Sequence, residues 1–544
     1  MCLSLEPKAE DSVCDCGESM RSACLEEPFY KEREGKRYCV LHFPSRQKSV
    51  DFNKALQRKL ENKDFNFQGV WFPDELCFSE CDFTTEVSFR NAIFRAKADF
   101  RCAIFRAEAD FRYAIFRAEA DFRYATFKAE VYFDHSTFNA AASFHYTTFS
   151  TTFFSNATFS DEADFSDSTV SAAFFKNTTF GATADFSDTK FNSTVTFART
   201  TFRGLADFSS ATFAAAEYFA AAADFSYAMF KSTADFSEVS FSSTRADFTD
   251  VTLEDYVKFT GYEKRLAFGG RSALDLRFAR IGKPDRVSFH SLTLHPNWFV
   301  NVDPRKFDFT DVSWNWRSVK DEVKILEDNN VSSPYRFLAI TYRHLAVNAE
   351  ENNRYEEASR FRYLAMDTRR LKWVEKLQGN FFHAHWKALQ KALLRLIRSF
   401  RRDVGVRAPL IRLKRFVGVY WRDFSLLHWF YWALSGYGER VFRASIVLLV
   451  VWLLFAGAYT RVGFVRWEAR LVSERDLASV QRDKTGAPLS LNRALTYSAG
   501  VMTLQKPEPR PATTTAQAMV LFETILGPVQ AALLALAVRR RFMR

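Results

Sequence analysis

The chain has 544 residues, 16% of them aromatic, and 59 Phe stand against only 19 Gly and 14 Pro. That length exceeds what one hydrophobic core organises, and so uneven a use of one aromatic excludes an average globular composition; one region must use Phe as a structural unit. The formal net charge is +11, yet residues 83–259 hold 23 acids against 16 bases, so the basic excess lies elsewhere, where it can serve nucleic acid or an anionic membrane surface.

Of the eight cysteines, Cys2, Cys14, Cys16, Cys24 and Cys39 crowd near the start, with no basic stretch and apolar run before them. Export through a cleaved signal is therefore not expected, and in a reducing compartment such a cluster points to a metal site more than to disulfides. Cys14-x-Cys16, Cys24 and Cys39-Val40-Leu41-His42 offer up to five soft ligands. One of Cys14 or Cys16 with Cys24, Cys39 and His42 would hold a structural zinc tetrahedrally; the alternative is free cysteines on a loose arm. No His-Glu-x-x-His helix accompanies them, so a catalytic zinc is not indicated. Residues 1–64 are read as a Cys-rich cap with a zinc knuckle and a short helix.

From Phe72 the large apolar anchors are Phe78, Phe83, Phe89, Phe94, Phe100, Phe105 and Phe111, in steps alternating six and five. The unit is eleven residues with two Ala-x-Phe triplets, clearest at Ala98-Asp99-Phe100 and Ala103-Ile104-Phe105. Single-residue slips fall near Phe154 and Phe248. A mean step of 5.5 would put successive Phe on opposite faces of a helix, which excludes a coiled coil. Within each triplet, Ala and Phe two apart give the alternation of a short strand with one buried face. The Arg that follows many of these Phe, and the Asp that precedes others, read as salt-bridged surface ladders.

In triplets such as Ala109-Asp110-Phe111, Ala120-Asp121-Phe122 and Ala206-Asp207-Phe208, residues 65–260 resemble the pentapeptide-repeat family. The resemblance implies a mainly β fold, a right-handed quadrilateral β-helix with the central large residue pointing inward. Here Phe replaces the commoner Leu, with one extra residue per pair of repeats. Four walls per coil of about 22 residues give roughly nine coils and a rod on the order of 40 Å long. Both ends then need covers. Some members of that family mimic DNA through an acidic face, which the Arg ladders here argue against.

Beyond the repeat, residues 261–332 are expected to close the rod as irregular strands. Ser333-Pro334 offers an N-cap and a first-turn Pro to a helical hairpin at 333–378, with helices near 335–349 and 355–376. In 379–440, apolar residues at helical spacing (Trp386, Leu389, Leu393, Leu396) alternate with Lys and Arg, the pattern of an interfacial helix on the anionic cytoplasmic leaflet of a bilayer. Arg412, Lys414, Arg415, Arg422, Arg440 and Arg443 extend this basic zone.

Residues 444–460 and 518–538 are apolar enough for two spans, the second ended by Arg539-Arg540-Arg541. The basic flanks place both termini and the β-helix in the cytoplasm, with a bacterial inner membrane as the setting. No nucleic-acid partner is expected. Between the spans, LNRALTYSAGVMTL (491–504) resembles the pore helix of the two-transmembrane ion-channel superfamily, and the resemblance covers 441–544. It implies a homo-oligomer, with a tetramer as the family expectation.

Thr503, Leu504, Gln505, Lys506 and Glu508 then fall at the filter position. They lack the glycines of a potassium-type carbonyl ladder, and Lys506 with Arg510 would favour anions. Glu523, Gly527, Pro528 and Gln530 in the second span are the pore-lining or gate candidates. Ser435-Gly436-Tyr437-Gly438-Glu439 looks like a filter but precedes the first span and is read as a turn. No nucleophile elbow, P-loop or dinucleotide fingerprint appears, so an enzyme is not expected. The leading expectation is ion transport gated or scaffolded by the cytosolic rod. The alternative is a non-conducting membrane-anchored scaffold whose rod recruits a cytosolic protein partner.

Overall fold

The computed structural model describes residues 14–15, 23–24, 27–214, 223–242, 245–261, 273–378, 426–437, 440–465 and 486–542. They fall into two compact units, Met1–Ser318 and Val319–Arg544. The interfacial segment around Trp386 to Leu396 and the bases from Arg412 to Arg422 lie outside the described residues.

The first unit is a parallel β-solenoid of about ten turns. Each wall contributes a two-residue strand per coil, and strands pair with their equivalents one coil away: Ala98–Asp99 with Ala120–Asp121, and Ile115–Phe116 with both Ile93–Phe94 and Thr137–Phe138. The first wall, from Trp71–Phe72 to Arg280–Ile281, has ten strands; the second, from Leu76–Cys77 to Asp308–Thr310, has eleven. The third and fourth walls share one fourteen-stranded sheet. Strands at Ala273–Asp275, Val287–His290 and Asp308–Thr310 stack on these same sheets, so the solenoid runs well past residue 260. Longer connections hide the period there, while Leu276, Phe289 and Phe309 stay buried.

The two spacings make two kinds of corner. At the five-residue corners the Ala103 N–H donates to the Phe100 carbonyl at 3.1 Å, and the residue between, Cys102, has φ +56°. Asn91, Tyr113, Tyr124 and His135 hold the same left-handed position. The preceding Asp caps the turn: Asp99 Oδ1 accepts from the Arg101 backbone N–H at 3.0 Å and from its guanidinium. The Asp-x-Arg ladder is thus a turn device repeated at Asp110/Arg112 and Asp121/Arg123, with Ser in place of Arg at Asp164/Ser166 and Asp185/Ser187.

At the six-residue corners the extra residue is accommodated otherwise. Strand Thr126–Tyr132 runs around the corner with a bulge between Phe127 and Glu130, against the straight corner of Thr148–Phe153. That is the origin of the slip near Phe154. A left-handed backbone costs an ordinary side chain about 1 kcal/mol, which Asn tolerates better. Cys102→Asn is therefore expected to raise stability by up to about 1 kcal/mol, read as a higher thermal midpoint.

Inside, Phe side chains form four columns. Rings stack along each column, as for Phe100 and Phe122 (4.8 Å between centroids, 3°) or Phe116 and Phe138 (4.6 Å, 1°), and meet edge to face across columns, as for Phe111 and Phe122 (5.6 Å, 89°). Where Thr takes the place of the small corner Ala, its buried hydroxyl donates to a Phe carbonyl of the preceding coil: Thr147 to Phe122 at 2.8 Å and Thr178 to Phe154 at 2.7 Å. Helix α1 (Ser49–Glu61) covers one end, with Phe52 edge-on to Phe72. At the other end, Phe299 and Trp314 pack on Phe309.

The second unit is helical among its described residues apart from a small hairpin. It begins with α2 (Val319–Asp328), then the pair α3 (Pro334–Glu351) and α4 (Tyr355–Gln378). Pro334 opens α3 as expected, but Ser333 is left-handed (φ +61°) and its hydroxyl caps nothing; its carbonyl accepts from Arg336 instead. There follow α5 (Leu426–Ser435), α6 (Val441–Tyr459), α7 (Leu491–Met502) and α8 (Thr514–Phe542). Two-residue strands Phe464–Val465 and Gly486–Ala487 pair antiparallel between α6 and α7.

Candidate functional site

Two sites follow from the sequence, one in each unit. In the first, strand Phe29–Arg33 turns through Glu34-Gly35 into Lys36–Cys39. The Asp15 N–H donates to the Arg37 carbonyl at 2.8 Å, and Asp15 Oδ2 accepts the Arg37 N–H at 2.8 Å, which fixes Cys14 beside the strand end. Cys14, Cys24, Cys39 and His42 are all buried, with ligand atoms within 4.8 Å of one another. Of the two residues of the Cys-x-Cys pair, Cys14 belongs to this cluster; Cys16 lies outside the described residues.

His42 Nδ1 is 3.1 Å from Cys39 Sγ and 3.8 Å from Cys14 Sγ, near the roughly 3.5–3.8 Å that a tetrahedral zinc imposes between ligands. Its Nε2 sits 2.9 Å from the Gln68 carbonyl, the outer partner that directs a histidine's other nitrogen to a metal. The Cys39 N–H donates to Cys14 Sγ at 3.4 Å. Lys48 is buried against this loop, donating to the Val40 and Leu41 carbonyls at 2.6 and 2.8 Å and lying over the rings of Phe52 and Trp71. Burial pushes the Lys48 ammonium down to about 7, and the Cys39 charge works in the opposite direction. The Cys3His set can hold a metal, and through Gln68 it ties the cap to the first coil.

In the second unit α6 and α8 are long and apolar enough to cross a bilayer. The 12-residue α7 packs between them around Ala456, Tyr459, Phe464, Tyr497 and Val501. Trp452 Nε1 donates to the Leu495 carbonyl at 3.0 Å. The Glu523 side chain is fully buried: one carboxylate oxygen accepts from the Tyr459 hydroxyl and the other from the Ser498 hydroxyl. Gly527 meets the end of α7 so closely that a Cβ would lie 2.9 Å from Met502 Cγ. Pro528 sits inside α8 without ending it. Gln530 is buried and donates to the Leu434 and Ala444 carbonyls, both at 2.9 Å.

The predicted residues therefore separate. Glu523, Gly527 and Gln530 make helix contacts within the chain. Thr503, Leu504, Gln505, Lys506 and Glu508 form an exposed turn after α7, with Leu504 at φ +61° and 63% exposed. Ser435-Gly436-Tyr437 closes α5, with Tyr437 buried; residues 438 and 439 lie outside the described residues. Two bases of the basic zone lie over rings: Arg440 is 4.3 Å from the Tyr363 centroid and Arg443 5.3 Å from that of Trp432. Trp432 also donates to the Tyr363 hydroxyl at 3.3 Å, joining α4 to α5. Tyr459 and Ser498 were not singled out by the sequence, because no periodicity pairs a tyrosine and a carboxylate 64 residues apart.

Residues 89–137, 103–148 and 122–169 match the family model described as pentapeptide repeats, within nine copies. The solenoid is thus built of pentapeptide repeats. No curated protein matches the chain. Among solved structures, a trypsin-treated form of QnrB1, a plasmid-mediated fluoroquinolone resistance protein, is 9% identical over 48% of this chain and 96% of that one. Its TM-score of 0.15 is too low to bear on this chain's architecture or activity.

Proposed function

We propose that this chain is an oligomeric membrane pore whose cytosolic pentapeptide-repeat rod scaffolds or gates ion transport. The observation that carries the reading is α7: a helix too short to span, held between two apolar helices, that ends in an exposed, charged turn at 503–508. Two spans do not enclose a path alone, so several copies, four by resemblance to two-transmembrane channels, would bring these turns together. The basic flanks support cytoplasmic termini in a bacterial inner membrane, and the α4–α5 contacts offer a route from hairpin to spans.

The test is ion flux in liposomes holding the purified chain, with Lys506→Glu to shift selectivity away from anions. Absence of flux from correctly inserted protein sinks the pore. The second reading, a non-conducting membrane-anchored scaffold, is favoured by the burial of Glu523 inside the chain; it expects no flux and a partner bound through the rod.

At the cap, the reading is a structural zinc on Cys14, Cys24, Cys39 and His42. Purified chain should carry one zinc per chain by elemental analysis, and Cys39→Ser should lose it and expose the first coil to proteolysis. Metal-free protein with an intact, protease-resistant cap would rule the zinc out.

A further inference from the structure

We propose that the arginine-rich junction of α4, α5 and α6 binds the phosphate of an anionic phospholipid at the cytoplasmic end of the first span. Two hydrogen-bonded rings form its floor, with Trp432 of α5 donating to the Tyr363 hydroxyl of α4 at 3.3 Å. Three guanidiniums lie over these rings: Arg440 is 4.3 Å from the Tyr363 centroid, and Arg370 and Arg443 are 4.3 and 5.3 Å from that of Trp432. Arg360 is a fourth. Burial and the Arg440 charge push its guanidinium down from the ordinary value, against the pull of Glu356.

The turn Ser435-Gly436-Tyr437 sets this group in place. Gly436 is left-handed (φ +56°), and a Cβ there would lie 3.1 Å from Arg440 Cγ, so the Arg440 stem rests on a residue without a side chain. The Tyr437 ring packs 5.9 Å from that of Tyr363. Gln530 of α8 donates to the Leu434 and Ala444 carbonyls on either side of the turn, and Arg443 itself donates to the Trp432 carbonyl at 3.2 Å.

Cations gathered on two rings repel one another, and exposed cation–π contacts offset little of that. Arg370 has Asp367, which it reaches at 2.8 Å. Neither Arg440 nor Arg443 has a carboxylate within ion-pair distance among the described residues. Residues 369–443 hold 17 bases and 4 acids, so the sequence nearby supplies few. A purely structural clamp between hairpin and spans accounts for the rings and for Arg370 with Asp367, and leaves the Arg440 and Arg443 charges uncompensated. Forked guanidiniums match phosphate oxygens.

Position selects the source of that phosphate. Arg440 precedes Val441, the first residue of α6, and Arg443 lies in its first turn, which on the membrane reading above is the level of the headgroups. Phe442 between them is 77% exposed, an apolar side chain left for the acyl chains. The inference rests on the spans and not on conduction.

The experiment uses the full chain in phosphatidylcholine vesicles with a minor share of phosphatidic acid, extracted in mild detergent, washed and analysed for retained lipid by mass spectrometry. Phosphatidic acid should be retained in near-stoichiometric amount and phosphatidylcholine should not. Arg440→Gln with Arg443→Gln should cut retention about tenfold or more, the worth of one charge-assisted contact. Arg539→Gln with Arg540→Gln, the same charge loss beside the second span, should leave it unchanged. Equal losses in the two pairs reduce the site to diffuse attraction between a basic chain and an anionic leaflet and overturn it, as does retention indifferent to the headgroup. The unaltered chain gives a second measurement, free of any misfolded variant: soluble short-chain phosphatidic acid should raise its thermal midpoint in detergent, and inorganic phosphate at the same concentration should not. Equal shifts assign the site to a soluble phosphate and overturn the lipid. Alkaline extraction of the same vesicles reports separately on the spans. A chain that resists extraction yet keeps no phosphatidic acid retains the membrane reading and loses the site, while a chain that is extracted loses both.

Discussion

Phe122→Ala is expected to destabilise the solenoid by about 3–5 kcal/mol, enough to lower its thermal midpoint clearly and to expose neighbouring coils to protease. Phe122 lies between Phe100 and Phe144 in its column (4.8 and 4.9 Å) and receives the edges of Phe111 and Phe133 from the facing column. Its carbonyl also takes the Thr147 hydroxyl. Truncation removes a ring in contact on every side, and coils stacked at fixed spacing cannot collapse into the space. Phe122→Leu keeps an apolar side chain and should cost about 1.5 kcal/mol. Equal losses for Ala and Leu would mean that stacking geometry, not filled volume, sets the stability.

Glu523→Ala is expected to loosen the contact among α6, α7 and α8 by about 2–4 kcal/mol, because it leaves the Tyr459 hydroxyl buried without its acceptor and the Ser498 hydroxyl with only the Trp452 carbonyl at 3.3 Å. Glu523→Gln keeps an acceptor oxygen and should cost about 1 kcal/mol. Unfolding of the detergent-solubilised chain, followed by the fluorescence of Trp452 against α7, separates the two. Coupling should also show: once Tyr459 is Phe, Glu523→Ala should cost less than it does alone. A strictly additive pair would mean that the carboxylate does not hold the helices together. If Glu523→Ala leaves stability intact while changing ion flux, Glu523 belongs to the path instead.

The repeat was legible because it is redundant: Phe every five or six residues for many coils fixes the side-chain columns without any tertiary information. The legibility ends where redundancy ends. Past Phe259 longer connections break the count, although Phe289 and Phe309 sit in the same column. Helix α2 was missed for a related reason. Val319, Val323 and Leu326 have helical spacing and are buried, but they lie in a stretch assigned to the closing strands. The Cys3His group was legible as a ligand set, and the placing of Cys14 beside Cys39 needed the Asp15–Arg37 clamp, a pairing across 22 residues that spacing does not encode. In the second unit, composition located the apolar helices and said nothing of their rotation. Glu523 faces inward because of where α7 packs.

The two corner types carry a consequence for length. Adjacent strands on a wall stand one full coil apart, 22 residues in the regular stretch from Ile93 to Thr137, while the sequence motif repeats every 11. Removing 22 residues there would shorten the rod by one rung and leave every face as it was. Removing 11 would preserve the Phe rhythm and the core, yet turn everything downstream by half a revolution, so that the first wall gave way to the third and the second to the fourth. Sequence drift in steps of one motif therefore reorients the molecule's surface without disturbing its interior.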